Sequence, residues 1–266
     1  MIDARTKLHQ LLKDHPYASE LKAPPRSQLY QELRAVTEIG KLIRSQHLFE
    51  GLEASNPQTI MAIPGIANPD FFTFLLRQQL KKAGHRPYGW GLGLNRGNID
   101  ATIPLLITKI EKLAALNKGP IVAIGWSLGG LIAREITRLR PDLVKFIFTM
   151  GTPIIGGPKY TSVIFWANLL GQDPNNIEER LLARYAKPIE RPILAYYSKN
   201  DRVVDWQACI DPYSPDVTHI EVVASHFGMG FAPEVLADIM KRLKDLDTSG
   251  PNSNNMPRSD ERFSRP

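Results

Sequence analysis

Five residues, Gly125-Trp126-Ser127-Leu128-Gly129, sit between the apolar run Ile121 to Ile124 and a stretch in which Leu131, Ile132, Ile136 and Leu139 recur at helical spacing. Ile121, Val122 and Ile124 favour a strand, so the local reading is strand, sharp turn, helix. Gly-x-Ser-x-Gly at such a junction holds its serine in a strained backbone conformation, and the flanking glycines admit neighbouring chain that a Cβ would repel. Ser127 is therefore the candidate nucleophile. An ordinary strand-to-helix turn is the bland alternative.

The same alternation runs along most of the chain. From Thr59 onward, strand-like segments at Ile60–Ile63, Arg86–Trp90, Ile121–Ile124, Val144–Met150, Ile193–Tyr197 and Ile220–Val223 are interleaved with helical segments near Phe71–Lys82, Ile103–Leu116, after Ser127, and Pro233–Leu246. Strands separated by helical crossovers pair in parallel, which gives an α/β fold with about six strands flanked by helices. Between about 156 and 191 lies a longer insertion carrying Val163, Ile164, Phe165, Trp166, Leu169 and Leu170 with no strand signal, as a cap over a site would. Residues 1–57 read as a helical extension. Leu8, Leu11 and Leu12 form one short face; Leu29, Leu33, Val36, Ile39 and Ile43 form another, expected to pack on the main domain or a second subunit in preference to a membrane surface. The α/β unit would span 58–247, and 248–266, rich in Ser, Asn, Pro and Arg, reads as a disordered tail.

Of the 266 residues 43% are hydrophobic, enough for one well-buried domain. The single cysteine, Cys209, cannot form an internal disulfide, and the first fifteen residues carry Asp3, Arg5, Lys7, Lys13 and Asp14 without a continuous hydrophobic segment of secretory type. A cytoplasmic protein, at most peripheral to a membrane, is the expectation. The net charge of +6 comes from 33 basic residues scattered among 27 acidic ones, with no zinc-finger spacing or basic helical stripe, so nucleic acid is not an expected partner. Gly89, Gly91, Gly93 and Gly97 lack dinucleotide spacing, and no metal motif occurs; no cofactor is expected.

A serine needs a base to take its proton and a carboxylate to orient that base. In a parallel sheet reactive groups gather past the carboxyl ends of strands. Asp201 follows Ile193–Tyr197 by the short turn Ser198-Lys199-Asn200, and His226 follows Ile220–Val223 by a similar step. His9, His15 and His47 precede the sheet, while His85 and His219 stand before or at the opening of strands, so His226 is the favoured base. Asp205 is the rival acid, with a capping role as its bland reading. Developing charge on a substrate carbonyl needs two backbone donors, for which Leu128 N–H and Ile66 N–H, past Pro64-Gly65, are the candidates. Trp126, Phe165 and Trp166 are candidate substrate contacts, the last two equally readable as the cap's own core.

These segments resemble the α/β-hydrolase superfamily, in particular its bacterial lipase and esterase-like members, over roughly Thr59 to Leu246. Beyond Gly-Trp-Ser-Leu-Gly-Gly, the likeness includes Gly151-Thr152-Pro153, Tyr197-Ser198-Lys199-Asn200-Asp201-Arg202-Val203-Val204 and Ser225-His226-Phe227-Gly228-Met229. Pro64 stands where many relatives carry histidine, and Ile154 where lipases often do, but neither change removes a backbone donor. The resemblance implies a reduced α/β-hydrolase sheet, with Ser127 as nucleophile, Asp201 as acid and His226 as base in a serine hydrolase of small-molecule or lipid esters. Acyl transfer or thioester cleavage through the same acyl-enzyme, and a non-catalytic binding protein, are the alternatives.

Overall fold

The computed structural model describes residues 17–165 and 174–248, with Thr6, Gln10, Lys13 and His15 before them. The Leu8, Leu11 and Leu12 face, Trp166, Leu169, Leu170 and the expected disordered tail beyond Thr248 lie outside the described residues.

Six parallel strands form one sheet in the order β2-β1-β3-β4-β5-β6: β1 Thr59–Ile63, β2 Arg86–Gly89, β3 Ile121–Trp126, β4 Val144–Met150, β5 Ile193–Tyr197 and β6 Val217–Glu221. Every residue of β1 and β3 is buried, as central strands covered on both faces must be. The period of two sorts their side chains between two apolar layers. Ile60, Ala62, Val122, Ile124, Phe146 and Phe148 face one layer, which is completed by α2 (Phe74–Lys82) and α6 (Pro233–Thr248). Met61, Ile63, Ile121, Ala123 and Ile147 face the other, against α3 (Ile99–Asn117) and α4 (Leu128–Leu139). Ile103, Leu106, Ile110 and Leu113 of α3 are spaced to lie on one helical face, and they supply its contact. The helix starts where the Asn98 side chain accepts the Ala101 N–H and stops at Lys118, whose φ of +55° takes it out of helical geometry.

Two expectations are corrected. The last strand starts three residues and ends two residues earlier than its apolar run suggested, because β6 pairs from Val217 opposite Ile193 to Glu221 opposite Tyr197. Val223 is outside the strand and 67% exposed, and His219 lies within it. The second correction concerns the extension. A 3₁₀ segment, Arg26–Arg34, leads into α1, Ala35–Arg44, and the pair turns most of the expected apolar stripe outward: Leu33 and Ile43 are each 72% exposed and Val36 is 68% exposed, while Leu29 and Ile39 are half-buried, Leu29 against Val203, Val204 and Cys209. The inward face is Glu32, Ala35, Glu38 and Leu42. Hydrophobic periodicity gives the wrong side because the surface that receives this helix offers the backbone N–H groups of Arg202, Ser225 and Phe227, which the Glu32 and Glu38 carboxylates accept.

Between β4 and β5, a 3₁₀ turn at Gly157–Tyr160 and α5, Pro174–Tyr185, form the cap, and Thr161 bridges Val204. Leu181, Leu182 and Tyr185 pack with Ile154, Ile155 and Leu131. Arg180 and Arg184 pair with Asp100 at the start of α3, which ties the cap to the sheet's flank. Among the described residues no helix is long and apolar enough to cross a membrane.

The orientation of α1 is checked by paired truncations followed by urea unfolding. Leu42→Ala is expected to cost about 2–5 kcal/mol, as a buried leucine does, and Val36→Ala to stay within about 0.5 kcal/mol, as an exposed one does. Equal losses would contradict this orientation.

Candidate active site

Ser127 joins β3 to α4 with φ +54° and ψ −122°, a conformation that costs on the order of 1–3 kcal/mol for a residue with a Cβ. Its surroundings over-determine it. Ser127 N–H donates to Met150 O at 2.7 Å, and Thr152 Oγ1 donates to Ser127 O at 3.0 Å. A Cβ on Gly125 would overlap the Gly129 carbonyl, and one on Gly129 would overlap the Ile63 carbonyl, so the helix reaches this close to β1 and β3 only because both are glycine.

The Ser127 side chain borders a pocket whose walls are largely apolar: Ile66, Leu128, Leu131, Val163, Ile177 and Leu181. Arg180, Arg184 and Asp100 also border it, so the cap forms one side. Leu128 is the first residue of α4, and its N–H has no intrahelical acceptor. Gly65 brings the β1 loop against the serine, since a Cβ there would lie 3.2 Å from Ser127 Cβ. Ile66 borders the pocket, and the next two amides, Ala67 and Asn68, donate to Asn95 O and Gly65 O.

Asp201 and His226 come together past the ends of β5 and β6. Asp201 Oδ1 accepts the amides of Val203 at 2.8 Å and Val204 at 2.7 Å, which leaves Oδ2 directed at His226 Nδ1, 2.6 Å away. Both residues are buried. Burial opposes a charged imidazole, but the Asp201 carboxylate and its hydrogen bond, together with Glu32, outweigh that and hold His226 above its usual pKa. Gly151, at φ +54°, makes room for the pair: a Cβ there would be 2.9 Å from His226 Nδ1 and 3.1 Å from Asp201 Oδ2. Among the described residues no hydrogen bond joins the Ser127 hydroxyl to the imidazole. Asp205, the rival acid, instead caps the short turn Trp206–Cys209 through Gln207 N–H and accepts the Lys22 amide.

Two of the expected substrate contacts, Trp126 and Phe165, are placed elsewhere. Trp126 is 1% exposed and points into the core, where its indole N–H donates to the His226 carbonyl at 3.1 Å and its ring meets Phe231 edge-on. The residue before an elbow serine is still in the strand, so its side chain belongs to a sheet face and not to the pocket. Phe165 stacks beneath the Arg26 guanidinium, and Val163 takes the pocket position in its stead. The sequence reading missed Glu32 and Glu38, whose carboxylates accept N–H groups beside Asp201 and His226. Their partners lie 170 to 195 residues away, and no local pattern marks them. Among the described residues no three His, Cys, Asp or Glu side chains gather as a metal site.

Comparison with known proteins agrees with this architecture. No family model matches the chain. The pimeloyl-[acyl-carrier protein] methyl ester esterase of Pseudoalteromonas atlantica is 37% identical over 73 residues, a stretch covering 26% of each chain, so the match spans about a quarter of that relative's length. Among solved structures, the Bacillus licheniformis lipase BlEst2 superposes with a TM-score of 0.57 at 13% identity, covering 72% of this chain and 94% of the lipase. A monoacylglycerol lipase from Paleococcus ferrophilus gives 0.53 at 16% identity, covering 72% and 96%. An α/β superfamily hydrolase from Oenococcus oeni gives 0.53 at 16%, covering 74% and 94%.

The Asp201–His226 pair is open to direct measurement. Asp201→Asn removes the charge that favours imidazolium, so the His226 pKa read by histidine NMR titration is expected to fall below that of the unaltered protein. An unchanged or higher value would show that the carboxylate does not act on this ring.

Proposed function

We propose that the protein is a serine hydrolase that cleaves carboxylic esters, with Ser127 as nucleophile, His226 as general base and Asp201 as the acid that orients it. The fold is that of the α/β hydrolases, and its parallel sheet, elbow and cap supply a frame on which acyl chemistry can be built. The observation that carries this reading is the buried Asp201–His226 contact of 2.6 Å on the same sheet edge as a serine held at φ +54° beside a pocket.

In the first step Ser127 Oγ attacks the ester carbonyl carbon while His226 Nε2 takes the hydroxyl proton. Such hydroxyl–imidazole bonds are often completed only when substrate is bound. The carbonyl oxygen becomes negative and meets the N–H groups of Leu128, at the positive end of α4, and of Ile66. Collapse expels the alcohol, which receives the proton from His226 and leaves an acyl-Ser127 ester. Water, deprotonated by the same imidazole, then releases the acid and restores the serine. Asp201 orients the ring throughout, its other oxygen fixed by two backbone amides.

The acyl group is lipophilic. Leu128, Leu131, Val163, Ile177 and Leu181 offer an apolar wall, and each Å² of apolar surface removed from water contributes about 25 cal/mol. The methyl ester esterase activity in the name of the Pseudoalteromonas atlantica relative is of the same reaction class.

A fluorophosphonate probe is expected to label the protein covalently and to leave Ser127→Ala unlabelled; absence of labelling in the folded, unaltered protein would refute the reading. The pH profile supplies a second check. Only neutral imidazole accepts a proton, and His226 is held above its usual value of about 6.5. kcat/KM on a nitrophenyl ester is therefore expected to rise with pH through a limb above about 6.5, and His226→Ala should remove that limb with the activity.

A further inference from the structure

Two carboxylates that the reaction does not use are buried against the loops that carry its acid and base. Glu32 is 5% exposed and Glu38 is 6% exposed, and neither makes an ion pair among the described residues. Burying a carboxylate is costly unless hydrogen bonds replace its water. Glu32 Oε1 accepts the Arg202 amide at 2.8 Å, and its Oε2 accepts the Phe227 amide at 3.0 Å. Those two amides belong to the residues that immediately follow Asp201 and His226. One rigid carboxylate thus spans the two loops and sets the separation of their backbones.

Glu38 secures the same loop from the other side of the histidine. Its Oε1 accepts the Ser225 amide at 3.1 Å and its Oε2 the Ser225 hydroxyl at 3.2 Å, while Ser225 Oγ accepts the Gly228 amide at 3.0 Å. The fit leaves no slack, since a Cβ on Gly228 would overlap the Glu38 carboxylate. Gln31 adds a third tie by accepting Arg202 Nε at 3.0 Å. All three residues lie on the extension preceding β1, the segment whose apolar stripe faces outward, so the inward face of this segment is specialised for binding the two loops.

We propose that Glu32 is a positioning residue for the reaction: by bridging Arg202 N–H and Phe227 N–H it holds Asp201 and His226 in register, and its negative charge supports the imidazolium formed during acyl transfer. The inference rests on the proposed roles of Ser127, Asp201 and His226. The charged groups around the ring are Asp201 in direct contact, Glu32 across the loop, Glu38 behind Ser225, and Arg202, whose guanidinium is turned to Gln31 and the Lys199 carbonyl. Glu32 raises the affinity of His226 for a proton. Ser127 is not touched by this strap. Nucleophile labelling and base positioning are therefore separable.

The test is Glu32→Gln, which keeps the side chain's shape but removes the charge and gives one of the two amides a donor where it needs an acceptor. kcat for a nitrophenyl ester is expected to fall about 10- to 100-fold, as displacement of a catalytic group by about 1 Å can cause, with KM little changed. The acid limb of kcat/KM should move to lower pH, because a negative charge near imidazolium has been lost. A purely structural role would lower the melting temperature and leave the limb in place, and an unmoved limb, whatever the change in kcat, overturns the proposal. Should Glu32→Gln not fold by circular dichroism, hydrogen exchange of the unaltered protein decides. Protection of the Arg202 and Phe227 amides comparable to that of β5 is expected, and exchange as fast as in an open loop overturns the bridge. Failure of the unaltered protein to react with fluorophosphonate would instead remove the underlying reading of Ser127, and the positioning role with it.

Discussion

The architecture depends on the close approach of α4 to β1 and β3. Helix and strand backbones meet there with no side chain between them, at Gly125, Gly129 and Gly130, and a Cβ at any of the three would overlap neighbouring atoms. That contact forces the chain to reverse within one residue, which is what drives Ser127 to φ +54°. Strain of this kind persists only where surrounding bonds outweigh it. The Met150 carbonyl and the Thr152 hydroxyl supply two of them, both from the end of β4, so the elbow is braced by the strand next to its own. The same brace places Gly151 against Asp201 and His226, so a single strand end serves all three positions.

Electrostatics around the histidine follow from burial. A ring sealed from water would ordinarily be held neutral, and here the nearby carboxylates reverse that tendency. Asp201 contributes through contact and Glu32 through its charge alone. Each carboxylate in turn accepts two backbone amides, so the local arrangement is built from main-chain donors at loop ends. Trp126 completes the floor, its indole holding the His226 carbonyl from beneath.

Legibility differed by element for physical reasons. β4 and β5 could be bounded from sequence because both are buried on both faces and read as unbroken apolar runs. β6 lies at the edge, and its pattern of half-buried residues let Val222 and Val223 draw the reading two residues too far. The positions of Asp201 and His226 could be read because the order of strands in a parallel sheet dictates which loops share an edge. Trp126 could not be placed by motif position, since adjacency to a serine along the chain does not mean sharing its side of the sheet. Nor could α1. Val36 and Ile43, with Leu33 just before the helix, face solvent, while Glu38 and the preceding Glu32 on the opposite side meet amides nearly two hundred residues away.

By itself, the order of apolar runs, glycines and polar turns determined the parallel α/β sheet, the sharp turn at Ser127 and the strand ends past which Asp201 and His226 lie, because these follow from periodicity and from short-range steric rules. The tertiary structure alone decided which carboxylates would be buried, which face of the leading helix would turn inward, and that Trp126 would support the histidine loop without reaching the pocket. Those outcomes are settled by unsatisfied hydrogen-bond donors meeting acceptors far away in sequence. A pairing of that kind leaves no periodic trace in either partner.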